Sequence, residues 1–285
     1  MPATIHFSET FLPAGGNFVL FLRSPEVAGK VKADVLLTHG MGEHGAKYNH
    51  VAEFFARNGY RLCSYDLRGH GRSHGRRGHI NRYGELLDDL ETVLHHHQRD
   101  GAPPFLFGHS LGGQITLNYL IQRRPRVLGA IITSPLLQLG FRPSRMKVIL
   151  AKLMLRLWPS FTQSGPNDRT LLSHDLEFLN SLPGQELLHP KISARMYHEI
   201  LAGAANVLKN PARLECPLLF IQGAEDSMVS VAATKAFFEE VAATDKTLRI
   251  HDGMRHETQN EIGREKVLAQ MVEWMDARLS AAACS

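Results

Sequence analysis

PPFLFGHSLGGQ (103–114) runs from two prolines through a short apolar stretch into a serine ringed by glycines. PFLFGH (104–109) reads as a strand, and residues 111–124 as a helix stopped by Arg124-Pro125. Between them, Gly108-His109-Ser110-Leu111-Gly112 has the spacing G-x-S-x-G. A chain that reverses this tightly forces strained φ/ψ on the serine and leaves no room for Cβ atoms two residues to either side. Such a turn lifts the hydroxyl above the carboxyl ends of the strands, at the positive end of the next helix. The alternative is a glycine-rich turn whose serine only caps that helix. The strand–turn–helix setting favours a nucleophile.

Working outward, the same rhythm repeats. ADVLLTHG (33–40) is an apolar run ending in glycine, followed by a helix-period stretch at 47–58 closed by Gly59. YRLCSYD (60–66), GAIITSP (129–135), CPLLFIQG (216–223) and KTLRIHDG (246–253) read as further strands. Helical patterns occupy about 83–99, 230–242 and 259–279. At the start, extended stretches at Thr4–Phe11 and Phe18–Arg23 flank Gly15-Gly16-Asn17 and predict an antiparallel hairpin. The alternation predicts an α/β fold with a mostly parallel central sheet flanked by helices. It lapses between residues 136 and 210, where the pattern is only helical and carries several prolines. The expected organisation is a core of 1–135 and 211–285 with a helical insertion at 136–210.

A serine hydroxyl is a poor nucleophile until a base takes its proton, and the base needs an orienting acid. In a sheet of this kind the chain order is nucleophile, acid, histidine. QGAED (222–226) follows the strand after the insertion; G-x-x-D spacing favours Asp226 over its rival Glu225. GMRHE (253–257) follows the final strand and supplies His256, with His251 the weaker candidate because it falls inside the strand. An oxyanion intermediate also needs backbone N–H donors. One is expected from Leu111, the other from Met41 in the loop His39-Gly40-Met41-Gly42-Glu43-His44. His39 and Glu43 are expected to shape that loop rather than react.

Composition narrows the partners. The chain has 285 residues, 44% hydrophobic and 21% charged, with a formal charge of +4, an ordinary globular balance. Cys63, Cys216 and Cys284 have no close spacing, so neither a disulfide framework nor a cysteine zinc site is indicated, and a reducing, cytoplasmic setting is the default expectation. MPATIHFSET (1–10) has no basic stretch leading into an apolar one, so no secretory signal is expected, and no apolar run approaches roughly 18 residues. The absence of a Lys/Arg block, a P-loop and a Rossmann fingerprint argues against nucleic-acid partners and nucleotide cofactors. His95-His96-His97 lies late in a polar helix and reads as solvated surface, without a matching metal-ligand pattern. No metal or cofactor is expected.

HGMGEH (39–44), DLRGHGRSHGRRGHI (66–80), GHSLGG (108–113), QGAED (222–226) and DKTLRIHDGMRHETQNE (245–261) together resemble the α/β-hydrolases of the monoacylglycerol lipase and lysophospholipase type. The motifs fall in that family's order along nearly the whole chain, and only the insertion matches poorly. The resemblance implies an esterase with catalytic Ser110, Asp226 and His256, oxyanion donors Met41 and Leu111, and residues 136–210 as a cap over the site. Within that segment, a helix expected from Met146 to Phe161 aligns Met146, Ile149, Leu150, Leu153, Met154, Leu157, Trp158 and Phe161, with Lys147, Lys152 and Arg156 off the stripe. The stripe either packs on the main domain or forms an apolar mouth for an acyl chain at a membrane surface. In the second case Ile149, Leu150, Leu153, Met154 and Leu157 contact substrate. The expected activity is hydrolysis of single-chain lipid esters, foremost monoacylglycerol, with peripheral membrane contact through the cap. A lysophospholipase or short-chain carboxylesterase is the alternative, followed by a peptidase of the same fold or a non-catalytic binding protein on it.

Overall fold

A computed structural model describes residues 5–15, 17–98, 101–165 and 168–283. Strands β1 (Phe7–Pro13) and β2 (Val19–Pro25) form the expected hairpin, in register from Phe7↔Pro25 to Pro13↔Val19. Gly16 of its turn, like Thr4 and Cys284, lies outside the described residues. Strands β3 (Ala33–Thr38), β4 (Tyr60–Tyr65), β5 (Phe105–His109) and β6 (Gly129–Thr133) follow. After the insertion come two more named below, β9 (Leu218–Gly223) and β10 (Lys246–His251). The sheet order is β1-β2-β4-β3-β5-β6-β9-β10, antiparallel from β1 through β4 and parallel from β4 onward.

Every residue of β5, β6 and β9 is buried, which is why these strands read as continuous apolar runs rather than alternating ones. Side chains still alternate between faces. Leu36, Leu106, Ala130 and Ile132 pack with α2 (Gly84–His97), α3 (Leu111–Arg123) and α7 (Val231–Glu240). Val35, Leu37, Phe105, Phe107 and Ile131 face the other way, onto α1 (Asn49–Arg57) and α8 (Arg264–Ala283). At the end of α2, His95 is exposed while His96 and His97 are half-buried with ring centroids 5.3 Å apart, so the triplet is less solvated than its composition suggests.

Between β6 and β9 lie α4 (Arg145–Leu157), β7 (Thr162–Ser164), α5 (Leu176–Ser181), β8 (Lys191–Ser193) and α6 (Ala194–Lys209). The expectation of a purely helical segment is corrected here: β7 and β8 pair antiparallel, Thr162↔Ser193 to Ser164↔Lys191. Three-residue strands are too short to show a period in the sequence. The helix expected to reach Phe161 ends at Leu157, because Trp158 precedes Pro159 and sits at φ −151°, ψ 77°. Buried amides fasten α6 to the core: Gln114 Nε2 donates to Ile200 O at 3.2 Å and Asn118 Nδ2 to Gly203 O at 3.0 Å. Among the described residues no helix is long and apolar enough to cross a membrane.

Candidate active site

Ser110 sits at φ +54°, ψ −116° between β5 and α3, and its hydroxyl makes no capping bond to that helix. The helix-cap reading therefore fails. Strain of this kind, about 1–3 kcal/mol, persists only where the surroundings over-determine it. They do so here: Ser110 N–H donates to Thr133 O at 2.9 Å, and Ser110 O accepts from Gln114 N and Leu136 N. The flanking glycines are required by space. A Cβ on Gly112 would lie 1.9 Å from Thr38 O, and one on Gly108 would lie 2.5 Å from Gly112 O.

The structure brings the three separately argued residues together. His256 Nε2 lies 3.0 Å from Ser110 Oγ, and His256 Nδ1 lies 2.9 Å from Asp226 Oδ2. Asp226 is held in turn by Met228 N–H (2.9 Å) and Val229 N–H (3.0 Å) on one oxygen and by Gln222 Nε2 (3.1 Å) on the other. Burial would raise its pKa, but His256 and these donors outweigh burial and hold it below the ordinary value. For His256 the balance is reversed in sign: burial pulls down, while Asp226 foremost raises its pKa above the ordinary imidazole value. The two rivals lie elsewhere. Glu225 is exposed beside His174, at 3.5 Å, and His251 stays within β10.

His109, next to the serine, is a different case. Burial pushes it down to about 3, so its ring is neutral, with Nδ1 3.0 Å from Thr133 Oγ1. Glu43, His109 and Glu257 are the one group of three metal-capable side chains found among the described residues, their ligand atoms all within 4.8 Å of one another. The cation held by both carboxylates is the Lys47 ammonium. His39 and Glu43 shape their loop as expected. His39 Nδ1 donates to Gly40 O (2.7 Å) while its Nε2 accepts from Leu67 N–H (2.9 Å), and Glu43 Oε2 accepts from Gly40 N–H (3.0 Å).

Ser110, His256 and Met41 open onto a cavity of about 780 Å³. Leu111 lies beneath it as the first residue of α3. The opposite wall comes from residues 136–204, including Val148, Ala151, Tyr197, Ile200 and Leu201. This corrects the substrate-contact expectation for α4. Ile149, Leu150, Leu153, Met154 and Leu157 are absent from the cavity wall. All but the half-buried Met154 are exposed, Ile149 by 62% and Leu157 by 70%. The helix is apolar on both faces, and the wall-facing set Val148/Ala151 is shorter and smaller than the outward set, so size misled the assignment. Ser134 was also missed. It adopts φ +45°, and its hydroxyl donates to His256 O at 2.7 Å, bracing the histidine loop. A positive φ on a serine after a strand leaves no mark in composition or period.

Residues 29–263 match the model of the family Hydrolase_4, described as serine aminopeptidase, S33. A monoacylglycerol lipase of Mycolicibacterium smegmatis is 28% identical over 248 residues, covering 86% of this chain and 88% of that protein. An uncharacterized abhydrolase domain-containing protein of Dictyostelium discoideum is 34% identical over 254 residues, but this chain spans only 27% of its length. The solved monoacylglycerol lipase of Paleococcus ferrophilus superposes with a TM-score of 0.80 at 26% identity, over 97% of this chain and 100% of that one.

Proposed function

Because this chain belongs to the Hydrolase_4 family (serine aminopeptidase, S33), we propose that it is a serine hydrolase that cleaves carboxylic esters of single-chain lipids, in the first instance monoacylglycerol to fatty acid and glycerol. The observation that carries the proposal is the Ser110–His256–Asp226 chain of contacts, 3.0 and 2.9 Å, facing a cavity whose far wall is largely apolar. Ser110 Oγ attacks the ester carbonyl as His256 Nε2 takes its proton, and Asp226 holds the imidazole in the Nδ1–H tautomer. Met41 N–H and Leu111 N–H receive the oxyanion, the latter at the positive end of α3. His256 then protonates the leaving glycerol oxygen. Water, deprotonated by the same nitrogen, attacks the acyl-Ser110 ester and releases the acid. Residues 136–210 act as the cap, with Val148, Ala151 and Ile200 against the acyl chain.

Named relatives of this chain in lipid ester hydrolysis, from Mycolicibacterium smegmatis and Paleococcus ferrophilus, support the ester over the peptide reading. So does the state of the carboxylates in the cavity. An aminopeptidase needs one free for the substrate's amine, whereas the two buried ones, Glu43 and Glu257, both hold Lys47. A second reading, lysophospholipid hydrolysis, is favoured by Arg142, Lys147 and Arg169, which line the same cavity and suit an anionic head group.

A chain-length series of monoacylglycerols, with matched lysophospholipids, tests this on wild type and Ser110→Ala. Turnover that rises with chain length and vanishes in the variant is expected. Equal turnover by both proteins refutes the nucleophile, and preference for the shortest esters refutes the lipid reading. Faster cleavage of the phosphate-bearing series transfers the assignment to lysophospholipids.

A further inference from the structure

Lys47 is almost wholly buried, its side chain 5% exposed, beneath the proposed reacting centre. Its ammonium donates to Glu43, and to Glu257 Oε1 at 2.5 Å. Burial pulls a lysine toward the neutral amine, yet Glu257 and Glu43 outweigh it and hold the group charged. Apolar replacement of such buried ion clusters is often neutral or stabilising for a fold. The cluster's contribution therefore has to be sought in what it holds in place.

Each arm ends on a loop of the site. Glu43 Oε2 accepts from Gly40 N–H (3.0 Å) and from Tyr48 OH (2.8 Å), which pins the turn one residue before Met41. Glu257 directly follows His256. Its Oε2 accepts from Asn260 Nδ2 (2.6 Å), and its N–H donates to Leu172 O (2.8 Å). One ammonium thus joins two segments 210 positions apart in the chain, the loop after β3 and the loop after β10.

We propose that Lys47, Glu43 and Glu257 form a positioning cluster that clamps the Met41 loop to the His256 loop and so sets the spacing between oxyanion donor and general base. The inference rests on the reading of Ser110, His256 and Asp226 given above. It has an electrostatic corollary. The groups facing His256 are Asp226 on the β9 loop, Glu257 on its own loop, Glu43 on the β3 loop and the neutral His109 on β5, with Lys47 behind the two glutamates. Burial and Glu43 raise the Glu257 pKa against the pull of Lys47, and in the ionised form Glu257, like Glu43, favours the charged imidazole. Removing the Glu257 charge therefore lowers the His256 pKa and moves the acid limb of activity to lower pH.

Steady-state kinetics of Lys47→Met, Glu257→Gln and Lys47→Arg on a soluble p-nitrophenyl ester, with fluorophosphonate labelling of Ser110, test the clamp. Lys47→Met is expected to lose roughly tenfold to hundredfold in kcat, less than the roughly hundredfold to thousandfold of an oxyanion donor removed outright, with KM within about twofold. Glu257→Gln, which conserves shape, is expected to lose less and to shift the acid limb downward. Lys47→Arg is expected to recover part of the loss. Values of kcat and acid limb within about twofold and a tenth of a pH unit of wild type, in both Lys47→Met and Glu257→Gln, overturn the proposal. So does a change confined to KM, which would make Lys47 a substrate contact. If Lys47→Met does not fold, the pH profile of Glu257→Gln decides alone. Absence of turnover and of labelling in wild type refutes the hydrolase reading itself, and is distinguishable from every outcome above.

Discussion

The two walls of the cavity are built on different terms. On the sheet side, Ser110, Asp226 and His256 each stand on a loop pinned by hydrogen bonds to the main chain, and Gly108, Gly112 and Gly223 beside the first two leave no space for a Cβ. On the facing side, α4 buries a single residue, Ala151, and turns Met146, Ile149, Leu153 and Leu157 to solvent. The first wall tolerates almost no displacement, as acyl transfer demands of groups that must meet within a few tenths of an ångström. The second is held mainly through α6 and leaves α4 free to be judged by what it touches outside. On the proposed reading, chemistry and substrate choice fall to regions with different tolerance for change, and substitutions on each should fail differently.

The sharpest break comes at the serine. Ser110→Ala is expected to lower kcat/KM by about 10⁴-fold or more and to abolish fluorophosphonate labelling, because the residual rate then comes only from binding and oxyanion donors. Its thermal midpoint should stay close to wild type, since the hydroxyl caps nothing. A variant that keeps a tenth of the activity would remove the sheet wall from the chemistry altogether.

Acid titration comes next in size. The proposed base, His256, can take a proton only when neutral, and Asp226 holds its pKa above the ordinary value of about 6.5. Activity should therefore fall tenfold per pH unit below a midpoint that lies above 6.5. The stability that the raised His256 pKa contributes runs the other way: it is complete below the unfolded-state imidazole pKa and is lost as pH rises through the folded one. Activity gained and stability lost in the same window, followed by a pH–rate profile and thermal melts, would tie both to one group. An acid midpoint at or below 6.5 breaks the assignment.

The facing wall should respond in proportion to the substrate. Ala151 lines the cavity and has no spare room on the helix side, being 7% exposed. Ala151→Trp fills space that a long acyl chain needs, and is expected to lower kcat/KM for long-chain monoacylglycerols by roughly tenfold. Short esters should lose about twofold or less. A uniform loss across chain lengths would mean that the substitution disturbs the fold rather than the acyl path.

The same contrast governs what the sequence disclosed. The parallel strands were legible because burial on both faces leaves an uninterrupted apolar run, and the Ser110 turn because its glycines are sterically compelled. Asp226 and His256 followed from chain order, which the sheet dictates. The β7–β8 pair escaped because three residues cannot show a period. Nothing in the sequence pairs Lys47 with Glu257; only tertiary contact across 210 residues makes them buried partners. For α4, an amphipathic pattern tells how wide the apolar stripe is, never which neighbour it meets. Here the larger side chains went outward.

That outward face supplies the smallest expected effect and the most specific one. Ile149, Leu153 and Leu157 are exposed on one side of α4, with Arg145, Lys152 and Arg156 also exposed on the helix. An apolar stripe with cationic flanks suits the interface of an anionic bilayer, where a single-chain lipid would be taken up. Replacing all three by serine removes no cavity contact and only side chains that are already half or more exposed. Each change should therefore cost at most about 0.5 kcal/mol of stability. On a soluble short ester, kcat/KM should remain within about twofold of wild type. On monoacylglycerol carried in anionic vesicles the loss should reach about tenfold, since each side chain forfeits part of the roughly 1.5–3 kcal/mol that full burial would provide. Vesicle co-sedimentation of the Ser110→Ala protein, with and without the three substitutions, separates seating from turnover. If the triple variant binds and cleaves vesicle substrate as well as wild type does, the apolar face of α4 has no part in reaching the lipid.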